Sequence, residues 1–259
     1  EAKCPNLSEC WSHGTATFLI LGDVCTRWCG YCNVKTGKPY ELDSEEPKKV
    51  ADAVNKLNLR YVVITSVTRD DLDDGGASTY AETVKEIKRI TDCSVELLIP
   101  DFKVMDGKIL KEGYLNFDAI KKVVAAKPDV LAHNIEAVRR VFSRVRPGGN
   151  YDVSLQLLKT IKEINPRIPT KSSIILGFDE TFEEIKETMQ DLRENNVDFL
   201  TLGQYLRPSM RHVKIERYYT PKEFEELKKI GLEMSFRHVE SGPLVRSSYR
   251  ADKLNKMIK

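Results

Sequence analysis

The residues best suited to chemistry are three cysteines in the run Cys25-Thr-Arg-Trp-Cys29-Gly-Tyr-Cys32, spaced C-x3-C-x2-C. Thiolates this close together call for a metal. Zinc usually takes four protein ligands in a structural site, often as two separated pairs. Here a triplet stands with no partner pair downstream. Iron–sulfur clusters are held by Cys thiolates at close spacings of this kind. Three thiolates on a four-iron cluster leave one iron without a protein ligand, free to bind a small molecule. The plainer alternatives are a zinc loop or a set of buried thiols.

The elements around the triplet must place it. Ala16-Thr-Phe-Leu-Ile-Leu-Gly22 is a short apolar run and reads as a buried strand. The thiols therefore sit on the loop leaving a strand's C-terminal end, where α/β folds place their chemistry. Downstream, a helix starts near Ser44-Glu-Glu-Pro47, with Ser as its cap and Pro in its first turn, and runs to about Leu57. Strands follow at Tyr61–Ser66, Ser94–Pro100, Asp129–Asn134, Pro169–Gly177 and Asp198–Gln204, with a last strand-like run at Phe236–Glu240. Helices are expected at Ser78–Ile90, Phe117–Ala126, from Glu136, Ser154–Ile164, Phe182–Asn195 and Pro221–Met234. About six strand–helix alternations argue for a parallel sheet with right-handed crossovers. A complete barrel of this type needs eight units, so the expected fold is α/β, a partial, open TIM-like barrel. No linker, repeat or low-complexity segment divides the chain. It reads as one globular unit: an N-terminal extension (1–15), the barrel (16–240) and a C-terminal tail (241–259).

The chain has 259 residues, is 41% hydrophobic and 31% charged, and carries a net charge of +2 from 41 basic and 39 acidic residues. That balance gives no reason to propose a nucleic-acid partner. No apolar run approaches a membrane helix and no signal peptide is visible. Beginning at Glu1 without Met, the chain reads as trimmed. Five of the six Cys fall within the first 32 residues. Such clustering favours metal over disulfides, hence a reducing compartment and a cytoplasmic protein.

Other polar groups lie at expected strand ends. His133 reads as a hydrogen-bonded structural residue ahead of a ligand or base. Asn134 and Glu136 have the chemistry to grip ribose hydroxyls or an ammonium group. The four acids of Thr68–Gly76 read as a solvated, helix-capping loop rather than a hard-cation site. Cys93 reads as a small buried hydrophobe. Cys4 and Cys10 form a C-x5-C pair, weak alone, which becomes a second cluster site when it precedes the triplet by fifteen residues.

The triplet, with Tyr31 before its last Cys, resembles the signature of radical S-adenosylmethionine (SAM) enzymes. Further segments resemble the lipoyl synthase family within them: Cys4-Pro-Asn…Glu9-Cys10-Trp11, Thr65-Ser-Val-x-Arg-Asp-Asp-Leu-x-Asp-Gly-Gly76, Leu202-Gly-Gln-Tyr-Leu-x-Pro208 and Val245-Arg-Ser-Ser-Tyr249. The resemblance implies that Cys25, Cys29 and Cys32 hold a [4Fe–4S] cluster whose open iron binds SAM. One electron then cleaves SAM to methionine and a 5′-deoxyadenosyl radical. That radical removes hydrogen atoms from the octanoyl chain of a carrier protein. An auxiliary [4Fe–4S] cluster is consumed as the sulfur source. The family holds that cluster with three Cys in C-x4-C-x5-C spacing plus a Ser. Cys4 and Cys10 match the second and third Cys, and Ser247 the Ser. The first Cys would lie two residues before Glu1. For SAM the expected residues are Tyr31, Thr65, Ser66, Asn134, Glu136 and Lys171, all near strand ends. Without the family motif, Ser247 and Ser248 would read as the cap of a helix at Tyr249–Met257.

The implied partners are an octanoylated lipoyl carrier domain, from a 2-oxoacid dehydrogenase acyltransferase subunit or the glycine cleavage H protein, and a reductant such as ferredoxin or flavodoxin. Arginines in the Tyr205–Thr220 loop and near the C-terminus are candidates to meet an acidic carrier. Alkyl C–H bonds are not acidic, so no general base could start this reaction. A cofactor must carry it, and no Ser/His/Asp arrangement is evident. The rival readings are another sulfur-inserting radical SAM enzyme and a non-catalytic iron–sulfur or zinc carrier. A carrier has no need of so large an α/β scaffold.

Overall fold

A computed structural model describes residues 4–106 and 109–258. Residues 1–3 of the expected extension and Lys259 of the tail lie outside the described residues. In chain order the first elements are α1 (Leu7–Ser12), β1 (Thr15–Ile20), β2 (Val24–Cys25), β3 (Lys35–Thr36), α2 (Glu46–Lys56), β4 (Tyr61–Ser66), α3 (Ala77–Ile90) and β5 (Ser94–Leu98). An antiparallel pair, β6 (Lys103–Asp106) and β7 (Ile109–Leu115), precedes α4 (Phe117–Ala125), β8 (Val130–Ala132), α5 (Arg139–Val145) and α6 (Tyr151–Ile164). Then come β9 (Thr170–Leu176), α7 (Phe182–Glu194), β10 (Phe199–Gln204), α8 (Pro221–Glu233) and β11 (His238–Gly242). A 3-10 turn at Ala251–Leu254 and α9 (Asn255–Ile258) end the chain.

Seven of the strands form one parallel sheet in the order β1-β4-β5-β8-β9-β10-β11, each joining the next along the chain. The expected alternations are there, and the last strand-like run is a true parallel strand at the sheet's edge. Alternation along each strand sorts the side chains into two layers. On β4, Val62 and Ile64 pack outward with Val50 and Val54 of α2 and Val84 and Ile87 of α3. Tyr61 and Val63 point inward, joining Val130, Phe199, Ala251 and Leu254 in an interior cluster. Both faces are buried, which is why these strands read as almost continuous apolar runs.

Several local expectations are corrected. Ser44 does not cap α2; Glu45 takes that position without a side-chain bond, while Asp43 accepts from the Glu45 amide at 3.0 Å. The helix expected from Glu136 begins at Arg139, because Glu136 sits at φ 71°, outside helical space, and bridges to Ile174. The β6–β7 pair was not expected from sequence. The helix read at Tyr249–Met257 is only the short 3-10 turn and α9, so Ser247 caps no helix.

Candidate active site

The cysteine loop leaves β1 through two residues with positive φ, Leu21 (68°) and Gly22 (90°). The Leu21 side chain is buried against Gly76, where any Cβ would stand 2.2 Å from Leu21 Cδ1. Gly76 also sits at φ 90°, so glycine is required there on both counts. From this anchor the loop is bound to four neighbouring segments. Thr26 donates its amide to the Thr68 carbonyl at 3.0 Å. Arg27 donates to Asp70 at 2.7 Å through Nε and to Asp101 at 2.8 Å through Nη1, fastening the loop to the ends of β4 and β5. Gly30 donates to the Val145 carbonyl at 2.8 Å and accepts from the Val213 amide at 2.9 Å. His212 reaches from the long loop after β10, its Nε2 3.1 Å from the Cys32 carbonyl.

All six cysteines are free thiols. Cys25, Cys29 and Cys32 line one cavity of about 450 Å3 at the C-terminal ends of the strands. Two amides point at the Cys25 sulfur, from Thr68 at 3.3 Å and Arg27 at 3.4 Å. Burial pushes the Cys29 thiol up to about 11 and raises that of Cys32 as well. Such thiols ionise readily only against a bound cation. Among the described residues no three His, Cys, Asp or Glu side chains converge on a single metal ion. The three thiols line one cavity, and thiolates that bind separate irons suit a cluster. The donor set therefore fits a [4Fe–4S] cluster.

The same cavity collects Tyr31, Thr65, Ser66, Asn134, Glu136 and Ser247. Glu136 accepts from Asn134 Nδ2 at 3.1 Å, with Tyr31 close by. Burial raises the Glu136 pKa, with Arg146, Asn134 and Tyr31 opposing. The Asn134 side-chain oxygen, Oδ1, is buried without a protein partner, an acceptor left for something in the cavity. Lys171 is placed elsewhere. It is 2% exposed and absent from the cavity wall, its ammonium held by Glu96 at 2.9 and 3.0 Å inside the barrel. The Tyr61 hydroxyl donates to the same carboxylate at 2.8 Å. The second residue of a seven-residue strand lies too deep to reach the rim. His133 takes the structural role, its Nδ1 2.8 Å from the Ile99 carbonyl and its Nε2 3.1 Å from Ser154 Oγ. Burial and nearby Arg146 push its pKa down to about 4, so it is neutral.

Sequence reasoning missed Arg146 and Gln204. Arg146 is 9% exposed, lines the cavity and donates to the Asn134 carbonyl at 3.0 Å. It stood just before Pro-Gly-Gly149 and read as part of a turn. Gln204 donates to the Leu176 carbonyl at 3.0 Å and accepts from the Tyr219 amide at 2.9 Å, securing the base of the Tyr205–Tyr219 loop. Its position at a strand's C-terminal end was the available signal. In the Thr68–Gly76 loop Asp70, Asp71 and Asp74 are taken by Arg27, Arg69 and the start of α3 respectively.

Cys4, just before α1, and Cys10, within it, lie outside the cavity wall; burial raises the Cys10 pKa, with a smaller push from nearby Cys4. The tail brings Val245, Arg246 and Ser247 onto the cavity. Where the tail crosses β10, a Cβ on Gly203 would lie 2.1 Å from the Val245 carbonyl oxygen.

A model of the Radical SAM superfamily matches residues 19–192. The lipoyl synthase of Rubrobacter xylanophilus is 56% identical over 97% of this chain and 75% of its own length. That of Caldanaerobacter subterraneus subsp. tengcongensis is 52% identical over 97% of this chain and 85% of its own. Among solved structures, methylornithine synthase (PylB) superposes with TM-score 0.62 at 14% identity, covering 97% of this chain and 84% of that one. Streptococcus suis SuiB bound to S-adenosylmethionine gives TM-score 0.57 at 11% identity, covering 88% of this chain and 50% of that one. These two share the fold alone. Over half the residues are identical to those of the lipoyl synthases along almost the whole chain, so the chain belongs to the lipoyl synthase family of the radical SAM superfamily.

Proposed function

We propose that this chain inserts two sulfur atoms, at carbon six and carbon eight, into the octanoyl chain of a lysine-linked carrier domain to make the lipoyl group. The observation that carries this reading is that one cavity is lined by Cys25, Cys29 and Cys32 and also by Ser247 of the tail. When bound, the cluster and SAM supply hydrogen-atom abstraction, and an auxiliary [4Fe–4S] cluster supplies the sulfur. The chain's own work is binding, orientation and exclusion of side reactions. Cys25, Cys29 and Cys32 hold the first cluster. Tyr31, Thr65, Ser66, Asn134 and Glu136 grip SAM, with Glu136 accepting from its hydroxyl or ammonium groups. Cys4, Cys10 and Ser247 contribute to the auxiliary cluster. Lys171 is not retained as a SAM ligand, since its ammonium is spent on Glu96.

No helix among the described residues is long and apolar enough to cross a membrane. A reducing, cytoplasmic setting suits the free thiols. The carrier is the lipoyl domain of a 2-oxoacid dehydrogenase or the glycine cleavage H protein, and ferredoxin or flavodoxin the electron donor. The extension (1–15), barrel (16–240) and tail (241–259) act as one unit.

The test uses protein loaded anaerobically with iron and sulfide, reduced, and given SAM and an octanoyl-lysyl peptide. Lipoyl peptide, methionine and 5′-deoxyadenosine are expected. If 5′-deoxyadenosine forms and the peptide gains no sulfur, another radical SAM reaction is the better assignment. If no 5′-deoxyadenosine forms, the reading fails entirely.

A further inference from the structure

The two ends of the chain are fastened together beside the cavity. Asn6 donates from Nδ2 to the Leu244 carbonyl at 2.7 Å. Glu9, in α1 and adjacent to Cys10, accepts from the Tyr249 hydroxyl at 3.1 and 3.2 Å, a partner 240 residues away in sequence. Arg250 Nη1 approaches the same carboxylate at 3.4 Å. Arg250 stands at φ 47°, a conformation that side-chain-bearing residues seldom adopt, so its neighbours must hold it there. Between the Asn6 and Glu9 contacts, Val245, Arg246 and Ser247 run along the cavity. A side chain one residue from Cys10 thus binds two residues that follow Ser247 closely.

We propose that Glu9 is a positioning residue, latching Tyr249 and Arg250 onto the cysteine-bearing helix so that Ser247 and the Cys4–Cys10 pair meet as one ligand set. The proposal rests on the auxiliary-cluster reading above. In the motif Arg246-Ser-Ser-Tyr249, the tyrosine hydroxyl then carries the tail's attachment. A carboxylate suits this place because it accepts from a phenol and a guanidinium at once. Glutamine keeps the shape and loses the charge.

The experiment compares wild type, Glu9→Gln, Tyr249→Phe and the double variant, each checked for an unchanged melting profile. In metal-free protein, amide hydrogen exchange across residues 244–250 is expected to rise about tenfold in each single variant. The double variant should exceed neither single by much, since both break one latch. After loading with iron and sulfide, the variants should lose the auxiliary cluster's electron paramagnetic resonance signal. The other cluster's response to added SAM should persist. Tyr249→Phe removes a single hydroxyl, so it decides the matter should Glu9→Gln fail to fold. A wild type with two clusters, beside variants with unmoved tail exchange or both clusters retained, overturns the latch alone. A wild type that takes up a single cluster overturns the auxiliary-cluster reading, and the proposal with it.

Discussion

At the scale of single residues, a buried carboxylate lines the cavity or props the barrel according to its depth. Glu136 and Glu96 are both buried carboxylates. Glu136 lies in the cavity wall beside an unsatisfied Asn134 oxygen, while Glu96 is neutralised by Lys171 and bonded by Tyr61. Lys171→Met should therefore strand a buried charge and cost about 3–5 kcal/mol. Adding Glu96→Leu should recover most of that loss. Denaturation midpoints of the metal-free variants measure both. Ser247 is a different case. Iron–sulfur centres favour thiolate over hydroxyl ligands, so a serine ligand leaves more easily. Ser247→Cys is expected to leave 5′-deoxyadenosine formation intact and slow sulfur transfer about tenfold or more. Full-rate lipoyl formation in that variant would refute the role.

At the scale of elements, turns and caps hold the cavity's walls. Asp74 organises the start of α3, accepting from the Gly76 amide at 3.0 Å and the Ser78 amide at 2.9 Å, and from Lys122 of α4 at 3.0 Å. Burial works against its charge, but these bonds and the Ser78 hydroxyl outweigh it and hold the carboxyl at about 2. Because the folded value lies below the ordinary one, the stabilisation is present at neutral pH. It is lost as pH falls from about 4 through 2. Asp74→Ala should cost about 1–2 kcal/mol at pH 7 and much less at pH 2.5, read from urea midpoints at the two pH values. Gly203→Ala tests the tail's crossing of β10. The new methyl would meet the Val245 carbonyl, so the tail must lift from the cavity. Protease cleavage between residues 243 and 259 should accelerate while the sheet's circular dichroism holds.

The whole molecule is an open barrel, with β1 paired to β4 and β11 to β10 and no pairing between β1 and β11 among the described residues. The chain's last segment serves the open interior. Ala251 and Leu254 pack with Tyr61, Val63, Val130 and Phe199. Asn255 donates to the Arg60 carbonyl at 3.4 Å, and Arg237 to the Met257 carbonyl at 2.6 Å. Ending the chain after Gly242 should expose this interior and remove about 3 kcal/mol of apolar burial. The expected result is binding of a hydrophobic dye and a melting temperature lower by roughly 5–10 °C. Unchanged melting would mean that the sheet closes without its tail.

Local sequence was enough to reveal the chemistry and the plan of the fold. Three thiols within one short loop need no distant partner to be recognised, and strand periodicity is a local property of the chain. Cys25, Cys29 and Cys32, the parallel alternation and the family motifs were legible for that reason. Local pattern does not reveal depth along a strand or contacts between distant segments. Lys171 and Asn134 both read as residues near a strand's C-terminal end, yet register sinks one into an ion pair and brings the other to the cavity. Arg146 looked like part of a turn until α5 and α6 carried it beneath the cysteine loop. The meeting of Glu9 with Tyr249 joins opposite ends of the chain, so it exists only once the barrel has folded.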